Sequence, residues 1–287
     1  MSKDTEMLPD SVVLITGASR GIGAAIAEAF ARAHVHVVIT GRSTSALEAQ
    51  EALLLEAGAA AVLSVTADVS KTDQIDRLFS RIHETFGTLD VLVANAGVQG
   101  PIGSLEDAAP EDFAETLAVN LTGTWLCMRA AIIDMKQKHR GKIITLSGGG
   151  ATGPRERFSA YAASKAAVVR LTETAAMELR PWHIDANAIA PGAVNTRMLE
   201  EVLEAGSRAG GEFSAAQKRA AEGGNSPEAA AELVRFLASP MSDGITGKLI
   251  SAVWDPWQDA AFTDRLRNEP DFCTLRRIDG KYFGGIE

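Results

Sequence analysis

The sequence predicts an α/β fold, a doubly wound parallel sheet of about seven strands with helices on both faces. Three observations predict it. Short apolar runs alternate with helical stretches of roughly 10–25 residues as far as about residue 250. The runs lack the polar alternation of a half-exposed sheet, so both faces of the sheet are covered. A glycine-rich turn, TGASRGIG (Thr16 to Gly23), joins the first run to the first helical stretch. Right-handed crossovers then place helices on both sides.

SVVLIT (11–16) reads as the first strand and Gly21 to Ala33 as an alanine-rich helix. VHVVIT (35–40) is the second strand, followed by a helix from Thr44 to Ala57. AVLSVTA (61–67) is the third, before an amphipathic helix over Thr72 to Phe86. LDVLVANAG (89–97) is a buried strand that ends in a turn, and a long helix covers about Glu111 to Gln137. GKIITLS (141–147) is the fifth strand, with a helix from about Phe158 to Arg180 behind it. HIDANAIA (183–190) is the sixth strand, residues 196–225 form a mixed polar segment, and 227–238 is helical. ITGKLISAV (245–253) is the last strand. Residues 1–253 thus form one catalytic-size domain, and 254–287 are a C-terminal extension rich in tryptophan and charge.

With 287 residues and 46% apolar content the chain can bury one large core. A formal charge of -9 argues against nucleic-acid or anionic-membrane partners. The N-terminus MSKDTEMLPD reads as no secretory signal, and the apolar runs fall short of the ~20 residues a membrane helix needs. Cys127 and Cys273 are far apart in sequence and give no metal spacing, and the five histidines are scattered. The expectation is a cytosolic protein without a metal.

Two local patterns carry chemistry. The turn supplies glycines where a backbone must approach a pyrophosphate at a helix N-terminus. Far downstream, FSAYAASKAA places Tyr161 and Lys165 at i and i+4, on one helix face. A phenol with a pKa near 10 is a poor base at neutral pH, and bringing it to ~7.5 takes roughly 3–4 kcal/mol. A cation about 4 Å away supplies about 4 kcal/mol at an effective dielectric near 20. A dinucleotide site facing a proton-transfer site is the combination these patterns suggest.

Taken in order, these residues resemble the short-chain dehydrogenase/reductase family in its shorter single-domain form, similar to bacterial NADP-dependent carbonyl and 3-oxoacyl reductases. The resemblance runs from about residue 11 to 250. Gly17-x-x-x-Gly21-x-Gly23 is similar to that family's dinucleotide turn, with Ser19, Arg20 and Ile22 inside it. Asp68-Val69 resembles the adenine-contacting pair, and Asn95-Ala96-Gly97 the turn below the cofactor. Asn120 in VNLTG resembles the helix asparagine that supports the lysine through a water chain. Pro191-Gly192, with Val194 and Thr196 after it, resembles the nicotinamide-side loop.

The resemblance implies a Rossmann-like fold and a hydride transfer. Tyr161 is then the general acid/base, while Lys165 depresses the phenol pKa and holds the nicotinamide ribose. It implies a hydroxyl that orients the substrate oxygen, and here the chain departs from the pattern. The family's serine usually lies thirteen residues before the tyrosine, and Gly148 holds that position. Ser147 lies one residue earlier. One extra residue in GGGATGPRERF would restore it to the role.

An acid for the adenosine ribose is missing, since no Asp or Glu lies between Glu28 and Glu48. Arg42 and Arg20 suit a 2′-phosphate instead. This favours NADP(H), with NAD possible if both arginines face solvent. The resemblance implies a small carbonyl compound or alcohol as substrate, with residues 196–225 in the place of the family's variable substrate loop. Arg155, Arg157 and Arg197 flank the site. The family's usual Val-Asp-Gly-Gly end is replaced by SAVWDPW, which bears on subunit contacts. A homodimer or homotetramer is expected, with Trp254 and Trp257 packing the tail onto a neighbour or covering a substrate ring. The competing reading is a cofactor-binding regulator of the same fold with little turnover.

Overall fold

The computed structural model describes Met7 and residues 10–277; the rest of the predicted extension, Tyr282 included, lies outside the described residues. Strands β1 (Val12–Thr16), β2 (His36–Gly41), β3 (Ala61–Thr66), β4 (Val91–Ala94), β5 (Gly141–Leu146), β6 (Ile184–Ala190) and β7 (Leu249–Ser251) build one sheet. Their order is β3-β2-β1-β4-β5-β6-β7, and every pairing is parallel. This is the predicted doubly wound architecture.

Successive residues of a strand point to opposite faces, so each strand feeds two core layers. Val13, Ile15, Val37 and Ile39 pack with Ile26 and Phe30 of helix α1 (Gly21–Ala31) and Val234 and Leu237 of a later helix, 227–238. Val12, Leu14, Val38 and Leu92 pack on the other face with Ile75 and Leu78 of helix 72–86. Full burial of each such side chain contributes about 1.5–3 kcal/mol. The same alternation explains why both faces of β1 are buried.

The remaining helices are α2 (Thr44–Glu56), α3 (Thr72–Phe86), α4 (Pro110–Leu117), α5 (Gly123–Lys138), α6 (Ser159–Leu179), α7 (Arg197–Ala205), α8 (Gly211–Glu222), α9 (Pro227–Ala238) and α10 (Ala260–Asn268). β1 has β2 on one side and β4 on the other. The chain therefore leaves these neighbouring strands in opposite directions, and a crevice opens at their C-terminal ends.

Two elements differ from the sequence reading. The long helix at 111–137 is interrupted by a π-helical turn at Ala118–Thr122. With that turn included, Pro110–Lys138 is apolar and long enough to cross a membrane, but half of its most apolar stretch is buried inside the fold, which marks a core helix. The polar segment 196–225 is mostly helical, because α7 buries Val202 and Ala205 against Phe158 and Tyr161.

The extension packs on its own chain. Trp257 is buried, with its ring 5.6 Å from that of Phe236, while Trp254 is exposed. The Lys248 ammonium donates to the carbonyls of Glu269, Pro270 and Phe272 at 2.6, 3.1 and 2.9 Å. The Leu249 amide donates to the Cys273 carbonyl at 2.7 Å, so the tail covers the β7 edge.

Candidate active site

At the crevice, the turns after β1 and β4 lock together. The Asn95 amide nitrogen of the side chain donates to the carbonyls of Thr16 and Gly17 at 2.8 and 3.1 Å. The Thr16 hydroxyl accepts from the backbone amides of Asn95 and Ala96, both at 3.0 Å. Gly17 has φ +65°, in the left-handed region that favours glycine. A β-carbon at Gly23 would collide with the Gly17 carbonyl and the Asn95 side chain. Both glycines are thus required by the turn itself. Helix α1 begins with no side-chain cap and no acidic residue in its first turn, which leaves amide donors for an anion.

A cleft of about 960 Å³ opens here, lined by Gly17, Ser19, Arg20, Gly21, Ile22 and Gly23 from the first turn. Arg42, Asp68, Val69, Asn95, Ala96, Gly97 and Thr196 line it as well. The Thr196 methyl lies 3.4 Å from where a β-carbon of Gly21 would be, so the loop after β6 closes over the turn. Pro191, Gly192 and Val194 shape that loop without lining the cleft. Gly192 has φ +85°, and Val194 bridges to Asn225. Asp68 also accepts from the Ser70 amide and hydroxyl at 2.9 and 2.8 Å, turning the chain into α3.

Tyr161, Lys165, Ser147 and Asn120 lie close together behind the Gly97 and Met198 lining of the cleft. The Lys165 ammonium lies 3.5 Å from the β-carbon position of Gly97 and donates to the Leu146 carbonyl at 2.7 Å. Burial brings its pKa down from 10.5 to about 8. Asn120 sits in the π turn and is buried. Its side chain accepts from the Val98 amide at 2.8 Å and donates to the Val98 carbonyl at 2.9 Å and to Ser164 at 3.0 Å. It fixes α6 against the turn after β4.

Two expectations are corrected here. The extra residue in the loop does not bring Ser147 to the phenol. Its hydroxyl lies under the Lys165 carbonyl at 3.4 Å, whereas a β-carbon at Gly148 would be 2.7 Å from the Tyr161 oxygen. The residue facing the phenol therefore has no side chain. The phenol pKa is also not depressed overall: burial raises it, and the Arg155 guanidinium pulls it back down. The Lys165 ammonium is 5.6 Å from the Tyr161 ring centroid and turned toward Leu146.

Three residues at the site escaped the sequence reading or stood at its margin. Met198 of α7 covers the phenol, with its sulfur 4.0 Å from the oxygen. Gln99 is buried in the cleft wall with a side-chain nitrogen that has no partner. Arg155 lies 5.3 Å from the Tyr161 ring and 3.8 Å from the Phe158 ring. A glutamine two residues past Asn-Ala-Gly and a methionine in the substrate segment carry no sequence signature. A second cavity of about 810 Å³, at the opposite end of β5 and β6, is lined by His139, Arg170, His183 and Lys248 and is separate from this site.

The family model described as short chain dehydrogenase matches residues 11–206. A short-chain dehydrogenase/reductase of Armillaria gallica is 38% identical over 258 residues, covering 86% of this chain and 96% of the relative. The solved structure of an NAD+-bound xylitol dehydrogenase superposes with a TM-score of 0.79 at 28% identity, covering 85% of this chain and 97% of that one. An actinorhodin polyketide ketoreductase solved with NADPH gives 0.78 at 30% identity, covering 84% and 95%. The site geometry and these matches agree, and the chain belongs to the short-chain dehydrogenase/reductase family of oxidoreductases.

Proposed function

We propose that the chain moves a hydride between NADP(H) and a small carbonyl compound or secondary alcohol, with Tyr161 exchanging the proton at the substrate oxygen. One observation carries the reading. Lys165 lies 5.6 Å from the Tyr161 ring and 3.5 Å from the β-carbon position of Gly97, which lines the cleft that begins at the glycine-rich turn.

The residues present fit a dinucleotide. Its pyrophosphate would lie against Gly17 to Gly23 at the uncapped start of α1. Arg20 and Arg42 line the same cleft and would pair with a 2′-phosphate through forked hydrogen bonds. The two solved relatives hold different nicotinamide cofactors, so the preference for NADP(H) rests on these arginines and on the missing acid. When bound, the dinucleotide supplies or accepts the hydride.

The chain's own residues handle the proton and the positioning. In reduction the Tyr161 hydroxyl gives its proton to the carbonyl oxygen, and in oxidation it takes the proton back. Burial raises the phenol pKa, which favours the protonated, donating form that reduction needs. Lys165, beside Gly97, would hold a ribose hydroxyl of the bound dinucleotide, and Asn120 and Ser147 hold α6 and the lysine backbone in register. Met198 shields the phenol. Membership of a family of dehydrogenases and reductases, with the Tyr-Lys pair intact, favours turnover over a regulatory role.

A cytosolic homodimer or homotetramer completes the reading. Exposed Trp125 and Ile133 on α5 and Met177 on α6 support self-association. The test of function is NADPH consumption against a panel of ketones, aldehydes, keto-sugars and β-ketoacyl thioesters. Turnover of at least one class supports the reading, and tight NADPH binding with no turnover of any class contradicts it.

A further inference from the structure

The Tyr161 phenol lacks the neighbour that a hydroxyl at position 148 would provide. Gly148 presents only backbone there, and the Ser147 hydroxyl is turned to the Lys165 carbonyl. What does approach the ring is the Arg155 guanidinium, 5.3 Å from the centroid. Its stem passes Gly149 and Gly150, 3.8 and 3.3 Å from where their β-carbons would sit. Its head stacks 3.8 Å over Phe158 and is held at 3.1 Å by Glu212, a carboxylate on α8.

The charged surroundings of the phenol can be named element by element. Lys165 on α6 lies 5.6 Å from the ring and is bonded to Leu146. Arg155 comes from the loop before α6. From α8 comes Glu212, which also faces Arg219 at 3.8 Å. On α7, Arg197 and Glu201 pair with each other at 3.1 Å, and it is the neutral Met198 that touches the phenol. The π turn contributes only the neutral Asn120, bonded to Ser164.

We propose that Arg155, set in place by Glu212, is the positioning residue that governs how readily Tyr161 releases its proton. The proposal rests on Tyr161 being the acid/base of the reaction. A cation beside a phenol favours the phenolate, and a carboxylate paired with that cation weakens its pull. Loss of the Glu212 charge, or of its contact with Arg155, therefore strengthens the acid.

The chain has two tyrosines, Tyr161 and Tyr282, so a Tyr282→Phe background lets ultraviolet absorbance follow the ionisation of Tyr161 alone. Arg155→Met should raise the midpoint by about one pH unit, and Arg155→Lys should leave it near the parent. Glu212→Gln, which keeps Arg155 and changes only the carboxylate, should lower it. The pH profile of kcat/KM should move in step. Midpoints that coincide in the parent, Arg155→Met and Glu212→Gln proteins, each with native circular dichroism, overturn the proposal. If Arg155→Met does not fold, an unmoved midpoint in Glu212→Gln overturns it alone. The titration needs no substrate, so midpoints that shift in a protein without carbonyl turnover uphold Arg155 while removing the enzymatic reading of Tyr161.

Discussion

Met198 sits on Tyr161, its sulfur 4.0 Å from the phenol oxygen. α7 therefore covers the phenol. Met198→Ala should open that cover. The expected result is a several-fold change in KM for the carbonyl substrate, with NADPH affinity unchanged, read from initial rates and from cofactor fluorescence titration. A KM equal to the parent's for every active substrate places the path to the phenol elsewhere.

Gly148 leaves room for the phenol and little else. An added β-carbon would lie 2.7 Å from the Tyr161 oxygen, so Gly148→Ala must displace one or the other. Overpacking of this kind costs about 1–3 kcal/mol. Activity should fall more than stability, because the displaced group is the one proposed to move the proton. Thermal unfolding and kcat measured side by side check this.

Burial lowers the Lys165 pKa from 10.5 to about 8. Between those values the unfolded chain binds more protons than the folded one, so stability from this residue rises with pH across that window. The penalty is full below about pH 8. Lys165→Met removes it, and the wild type should gain about 2–3 kcal/mol relative to the variant between pH 7 and pH 10. Urea titrations at the two pH values measure the gap, and a constant gap contradicts the assignment.

Arg42 should carry the cofactor choice. A charge-assisted hydrogen bond contributes about 1.5–3 kcal/mol, so Arg42→Ala should reduce kcat/KM for NADPH roughly 10- to 100-fold. The value for NADH should change little. Equal losses with both cofactors would remove Arg42 from 2′-phosphate recognition.

The Lys248 ammonium ties three carbonyls of the tail to the sheet edge. Lys248→Met leaves those acceptors unpaired and should cost about 2–4 kcal/mol. Limited proteolysis should then cut near Glu269 in the variant before it cuts the parent.

Much of this fold was legible in the sequence because its signals are local. Continuous apolar runs such as VVLIT mark strands buried on both faces. Ser226, Pro227 and Glu228 announce the start of α9 through a hydroxyl cap and a proline at the first turn. The glycine-rich turn, Asn95, Tyr161 and Lys165 were legible for the same reason, since each is defined by its neighbours in sequence. Contacts across the chain were not. Whether Ser147 or Gly148 meets the phenol depends on how one loop enters α6. The partner of Trp257 lies on α9, and that of Arg155 on α8. The helices in 196–225 were missed because their apolar faces become visible only against Phe158 and Tyr161. The direction of the phenol's proton affinity followed from burial, which no spacing between residues 161 and 165 reveals.

The central claim is that Tyr161 moves the proton, and Tyr161→Phe tests it most directly, since the ring stays and only the hydroxyl is lost. With the best carbonyl substrate from the panel, kcat should drop by about 10²–10⁴-fold, while NADPH binding and thermal stability stay close to the parent's. A Tyr161→Phe protein that reduces that substrate at the parental rate would contradict the account.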